Sequence, residues 1–101
     1  MLDLKKLQKE IYALKKKRGF NITDISMEFC LIYEELAEAF DAYHRKRGTL
    51  GEEMADVMIY LLGLAEIMGI DLEKELIAKN EKNHKREYKK INGVHIRTKE
   101  A

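Results

Sequence analysis

Four amphipathic segments joined by short polar breaks predict an all-α fold, a four-helix bundle-like protomer that oligomerises. Three observations carry that expectation. Apolar residues recur at steps of three and four, the period of a helix face, through most of the chain. There is no proline, and apolar (46%) and charged (37%) residues are mixed as soluble helices require. The third segment is apolar on every side over residues 57–65, so it should be central and should need cover from a second chain.

Residues 3–18 read as the first helix, with Leu4, Leu7, Ile11 and Leu14 on one stripe. Its basic end at residues 15–18 suits a helix C-terminus, and Gly19 is placed to stop it. Asn21 or Thr23 is the expected cap of a second helix running to about Arg47. The stripe there is Ile25, Phe29, Ile32, Leu36, Phe40 and Tyr43, and Gly48 is the expected stop. Thr49 followed three residues later by Glu52 reads as a capping box opening the third helix, which ends at Met68-Gly69. Asp71 caps a fourth helix from Leu72 to about Tyr88, with Leu72, Leu76 and Ile77 turned inward. Residues 1–90 then form a single all-α domain and 91–101 a C-terminal tail. Asn92-Gly93 is a turn signal in that tail, which folds back as an arm or reaches a neighbour.

A chain of 101 residues is one domain, small enough to gain from a partner. Its net charge of +1 argues against nucleic acid or a membrane surface as its partner. The basic groups at 15–18 and 45–47 read as solvated faces. No signal peptide is expected, and the longest apolar run is far below the ~20 residues that span a bilayer. Cys30 has no intramolecular disulfide partner and fits a reducing, cytoplasmic setting. It is expected in the core, as are Met27, Met54, Met58 and Met68.

Two acidic words stand out, Glu34-Glu35-Leu36-Ala37-Glu38 and Glu52-Glu53-Met54-Ala55-Asp56. Glu35 with Glu38 and Glu53 with Asp56 are i, i+3 pairs, so each pair lies on one helix face, where like charges repel. The two lie at matched positions around the Gly48 bend and can face each other between antiparallel helices. Four such carboxylates need a counter-charge, which a hard divalent cation such as Mg²⁺ supplies through oxygen ligands. On the fourth helix Lys79, Asn83 and Arg86 step by four and three, with Tyr88 beyond, a polar face suited to phosphate oxygens. An anionic metal cage and a cationic helix together suit a nucleoside triphosphate. Competing constellations are weak. Glu81-x-x-His84 is a single unit where a di-iron bundle needs two, and His44, His84 and His95 read as surface residues. No Ser or Cys nucleophile constellation and no Gly-rich phosphate loop is present.

The sequence resembles the MazG-like nucleotide pyrophosphohydrolases of the all-α NTP pyrophosphatase superfamily. The resemblance rests on Glu35-x-x-Glu38, fourteen intervening residues, Glu53-x-x-Asp56, and then Lys79-x-x-x-Asn83-x-x-Arg86-x-Tyr88. It implies Mg²⁺-dependent hydrolysis of (deoxy)nucleoside triphosphates to monophosphate and pyrophosphate, with Mn²⁺ as a substitute ion. Glu35, Glu38, Glu53 and Asp56 would be the metal ligands through which catalysis runs. Lys79, Asn83, Arg86 and Tyr88 would contact the substrate, in a homodimer or homotetramer whose active site is shared between chains. The alternative is a non-catalytic helical regulatory or interaction module of the same fold.

Overall fold

Three of the four helices begin at an aspartate. The computed structural model describes residues 1–99, which form α1 (Leu4–Lys17), α2 (Ile25–His44), α3 (Leu50–Ile67) and α4 (Leu72–Lys85). A hairpin of β1 (Glu87–Ile91) and β2 (Val94–Lys99) follows. The carboxylates of Asp3, Asp24 and Asp71 accept the amides of Lys6, Met27 and Lys74 at 3.0–3.1 Å, which satisfies a free N–H at each helix start. Asp24 therefore caps α2, not Asn21 or Thr23. Asn21 instead braces the loop, accepting the Asp24 amide at 3.0 Å and donating to the Asp24 carbonyl at 2.8 Å. Thr49 precedes α3 but its side chain makes no capping bond, so the expected capping box does not form.

Gly19 (φ +71°) and Gly69 (φ +69°) end α1 and α3 in the left-handed region. The Phe20 amide then returns to the Lys15 carbonyl (2.9 Å) and Ile70 to Ala65 (2.8 Å), the bonds of a Schellman motif. α2 stops earlier than expected because Lys46, not Gly48, takes the left-handed conformation (φ +54°). Its reversal places the Arg47 amide 2.9 Å from the Ala42 carbonyl.

α3 lies between α1 and α2 and is the central helix, as its composition required. Leu62, Leu64 and Ala65 are buried there with Ala39 and Ala42 of α2. The crossing with α1 is close at Gly63, where a Cβ would sit 3.3 Å from Ile11 Cγ2 and 3.4 Å from Lys15 Cδ. Gln8, buried on α1, donates to the carbonyl of Ile70 (2.6 Å) and to Glu66 (3.0 Å), and accepts the Leu72 amide (3.4 Å). One amide thus ties α1 to the α3–α4 junction.

The face α2 buries is not its aromatic stripe. Glu28, Ala39 and Ala42 turn inward, while Phe40 and Tyr43 remain 64% and 66% exposed, with Phe29 and Leu36 also outward. Small residues let α3 approach closely, and the large ones are left for a surface the protomer does not cover. Cys30 and Met27, Met54, Met58 and Met68 are exposed too, contrary to the core placement expected of them. α4 leans on α1 through its first turn and buries no residue, so Leu76 and Ile77 are exposed rather than inward. It ends at Lys85, because Arg86 is already extended (ψ 143°) and feeds β1. The radius of gyration is 16.9 Å, against about 12.7 Å for a compact chain of this length. No helix among the described residues is long and apolar enough to cross a membrane.

Candidate active site

The short connection after α2 folds α3 back along it and brings the two acidic words together. Glu35, Glu38 and Glu53 each offer a carboxylate oxygen within 4.8 Å of the others, with Glu35 and Glu53 half-buried and Glu38 exposed. Burial first, and then the charges of Glu38, Asp56, Glu53 and Glu34, hold the Glu35 carboxyl above its ordinary value. Asp56 is close enough for its charge to act on Glu35 but does not join the converging trio. Converging carboxylates fit a hard divalent ion, which replaces mutual repulsion with shared coordination.

Beside this group lies a cavity of about 480 Å³, walled by Ile11, Leu14, Phe20, Met27, Leu31 and Ile59. Its polar side carries a buried ion pair, Lys15 with Glu28, and the Glu28 carboxylate also accepts the Asn21 amide at 3.0 Å. The Lys15 ammonium sits 5.5 Å from the centre of the Tyr60 ring. Tyr60 lines the cavity one helical turn beyond Asp56, which connects it to the acidic group. Burial, followed by the charges of Glu35, Glu28 and Asp56, raises its phenol above the usual value.

Lys15 had read as part of a solvated basic run, yet it is buried. Glu28, 1% exposed, lies seven residues before Glu35, two turns along the same face. That spacing was the available signal for it; nothing in the sequence marked Lys15 as its partner across thirteen residues.

The basic residues occupy a separate region. Lys79 and Asn83 are on α4, Arg86 is the residue that ends it, and Tyr88 is on β1 rather than on a helix. Arg86 donates to the Asn83 side chain at 3.0 Å. His84 points back to the Asn80 carbonyl (2.7 Å) and His44 stacks on Phe40 (5.8 Å), both as surface residues.

Antiparallel helices presenting convergent carboxylates beside a ligand-sized cleft define an all-α protein with a divalent-metal type of oxygen cluster. Residues 23–90, more than half of the chain, match the family described as the MazG nucleotide pyrophosphohydrolase domain, and the chain belongs to that family. It is an enzyme that hydrolyses anhydride bonds of nucleotides. The cyanophage S-2L MazG-like pyrophosphohydrolase bound to dGDP and three catalytic Mn²⁺ ions per active site is similar in fold. The TM-score is 0.74 at 23% identity, over 98% of this chain and 100% of that one. No curated protein matches.

Proposed function

We propose that the protein hydrolyses (deoxy)nucleoside triphosphates to the monophosphate and pyrophosphate with Mg²⁺, Mn²⁺ serving as a substitute. The observation that carries this reading is the convergence of Glu35, Glu38 and Glu53 within 4.8 Å in a member of a nucleotide pyrophosphohydrolase family. These three and Asp56 would hold the metal, which supplies charge neutralisation on the phosphates and an acidified water. In this reaction a water oxygen would bond to the α-phosphorus as its bond to the bridging oxygen breaks, pyrophosphate leaving on the opposite side and the water's proton passing to solvent. The cavity beside Tyr60 suits the nucleoside, since its size lies in the range of small-ligand sites and its walls are apolar with a few polar groups. Lys79, Asn83, Arg86 and Tyr88 would meet the phosphates, with Arg86 the strongest contact through its paired donors. Because α4 buries nothing on its own bundle, this basic face would serve the acidic site of a second copy in a homodimer or homotetramer. The dGDP and Mn²⁺ bound to the S-2L protein agree with this chemistry.

The test is a panel of ribo- and deoxyribonucleoside triphosphates with pyrophosphate and monophosphate quantified. Glu38→Ala and Asp56→Ala should abolish metal-dependent turnover while the helical circular dichroism is kept. Near-wild-type activity in both, or an inert wild type, overturns the reading.

A further inference from the structure

The hairpin carries an arrangement that the acidic words and the fourth helix did not announce. Asn92 (φ +50°) and Gly93 (φ +80°) make the tight turn, and the antiparallel register sets Tyr88 opposite Arg97 and Lys90 opposite His95. Cross-strand partners and alternate residues share a face, so Tyr88, Lys90, His95 and Arg97 point to one side. Lys89, Ile96, Ile91 and Val94 occupy the other. On the first face the Arg97 guanidinium lies 6.0 Å from the centre of the Tyr88 ring. The Tyr88 hydroxyl is hydrogen-bonded to Arg97, which lowers its pKa despite opposing burial. The Lys79 ammonium is held below its usual value by lost hydration and then by the charges of Arg86, Lys82 and Arg97. Cations from α4, its end and β2 therefore gather around one tyrosine.

Every residue of the hairpin is exposed. A two-stranded ribbon is marginal in water by itself, and a surface that covered this one would stabilise it. The arm is cationic and the α2–α3 groove anionic. Opposite potentials favour a second copy of this chain as the surface it meets.

We propose that Arg97 is a substrate-binding residue of the pyrophosphohydrolase site. With Lys79 and Arg86 it grips the terminal phosphates, the part that leaves as pyrophosphate, and it does so on the acidic site of the partner copy. Tyr88 positions its guanidinium, whose planar fork suits a bidentate contact with phosphate oxygens. This rests on the function proposed above.

The test compares Arg97→Ala, Arg97→Lys and Lys89→Ala with the wild type, Lys89 being a hairpin cation on the opposite face. Arg97→Ala should lose roughly tenfold to hundredfold in kcat/KM, mostly through KM, and should bind inorganic pyrophosphate correspondingly weakly in calorimetry with Mg²⁺. Arg97→Lys should recover part of the loss, since it keeps the charge but not the fork. Lys89→Ala and the Mn²⁺ affinity of all variants should be unchanged. Mixing Glu38→Ala with Arg97→Ala subunits should restore activity, because only a site built from two chains then has one intact acidic group facing one intact arm. A wild type active on triphosphates together with an unaltered Arg97→Ala overturns the proposal alone. Equal losses in Arg97→Ala and Lys89→Ala overturn it in favour of a general charge effect. Absence of recovery on mixing overturns the partner arrangement. A wild type inert with every nucleotide overturns the parent reading and this one with it.

Discussion

Lys15 and Glu28 are a costly pair of side chains to separate. Both are buried, and each would be left as an uncompensated charge without the other. Lys15→Met or Glu28→Gln alone is expected to cost about 3–5 kcal/mol in urea unfolding. The double replacement Lys15→Met with Glu28→Leu should cost less than either single change; additive losses would show that the pair is not coupled. Glu35 poses a different question, of pH. Its carboxyl is raised in the fold by burial and by Glu38, Asp56, Glu53 and Glu34 above the ordinary value of 4.5. A raised folded value means the fold binds the proton more tightly than the unfolded chain. The group's contribution is therefore full below the ordinary value and is lost as pH rises through the folded one. Metal-free wild type should lose thermal stability relative to Glu35→Gln as pH rises from about 4 to 7. Mg²⁺ at neutral pH should restore the wild type more than the variant by binding the folded state. A pH-independent difference in melting temperature would refute the account.

Among the elements, α3 has two glycines with opposite meanings. A Cβ on Gly63 would press on Ile11 and Lys15, whereas one on Gly51 would meet nothing within 4 Å. Gly63→Val should therefore cost about 1–3 kcal/mol by forcing α1 outward. Gly51→Ala should be neutral or stabilising by up to about 1 kcal/mol through helix propensity. Thermal melts of the two variants side by side decide it, and a tolerated Gly63→Val would mean that the α1–α3 crossing is loose. The outward aromatic stripe of α2 belongs to the same scale. Periodicity found the stripe correctly; it did not say that Ala39 and Ala42, on the neighbouring face, would be the ones to meet α3.

For the whole molecule the imbalance is one of surface. The protomer exposes 8038 Å², where a compact monomer of its 11.8 kDa mass would expose about 5,900 Å². The excess is more than the ~800 Å² that one partner contributes to an ordinary interface. Phe29, Leu36 and Phe40 on α2, and Met54 and Met58 on α3, are among the apolar groups it contains. Light scattering at micromolar concentration should give at least twice the monomer mass, and Phe40→Glu should shift it toward monomer with loss of activity. A stable, active species at 11.8 kDa would disprove the assembly.

What the sequence determined by itself is local or nearly so. The helix start at Asp71 and the stops at Gly19 and Gly69 depend on bonds within a few residues, whereas the cap of α2 passed to Asp24 from the expected Asn21 or Thr23; the matched spacing of the two acidic words around a short bend lets Glu35, Glu38 and Glu53 meet. The Asn92-Gly93 turn was legible for the same reason, although the strands it joins were not. Only the tertiary structure decided which face of α2 is covered, that Lys15 is buried against Glu28, and that Arg97 stands over Tyr88. Each of these pairs an element with another distant or differently twisted one. Periodicity reports that a face is apolar or a group charged, but the partner is chosen by packing volume and by compensation of charge, which exist only once the helices have been brought together.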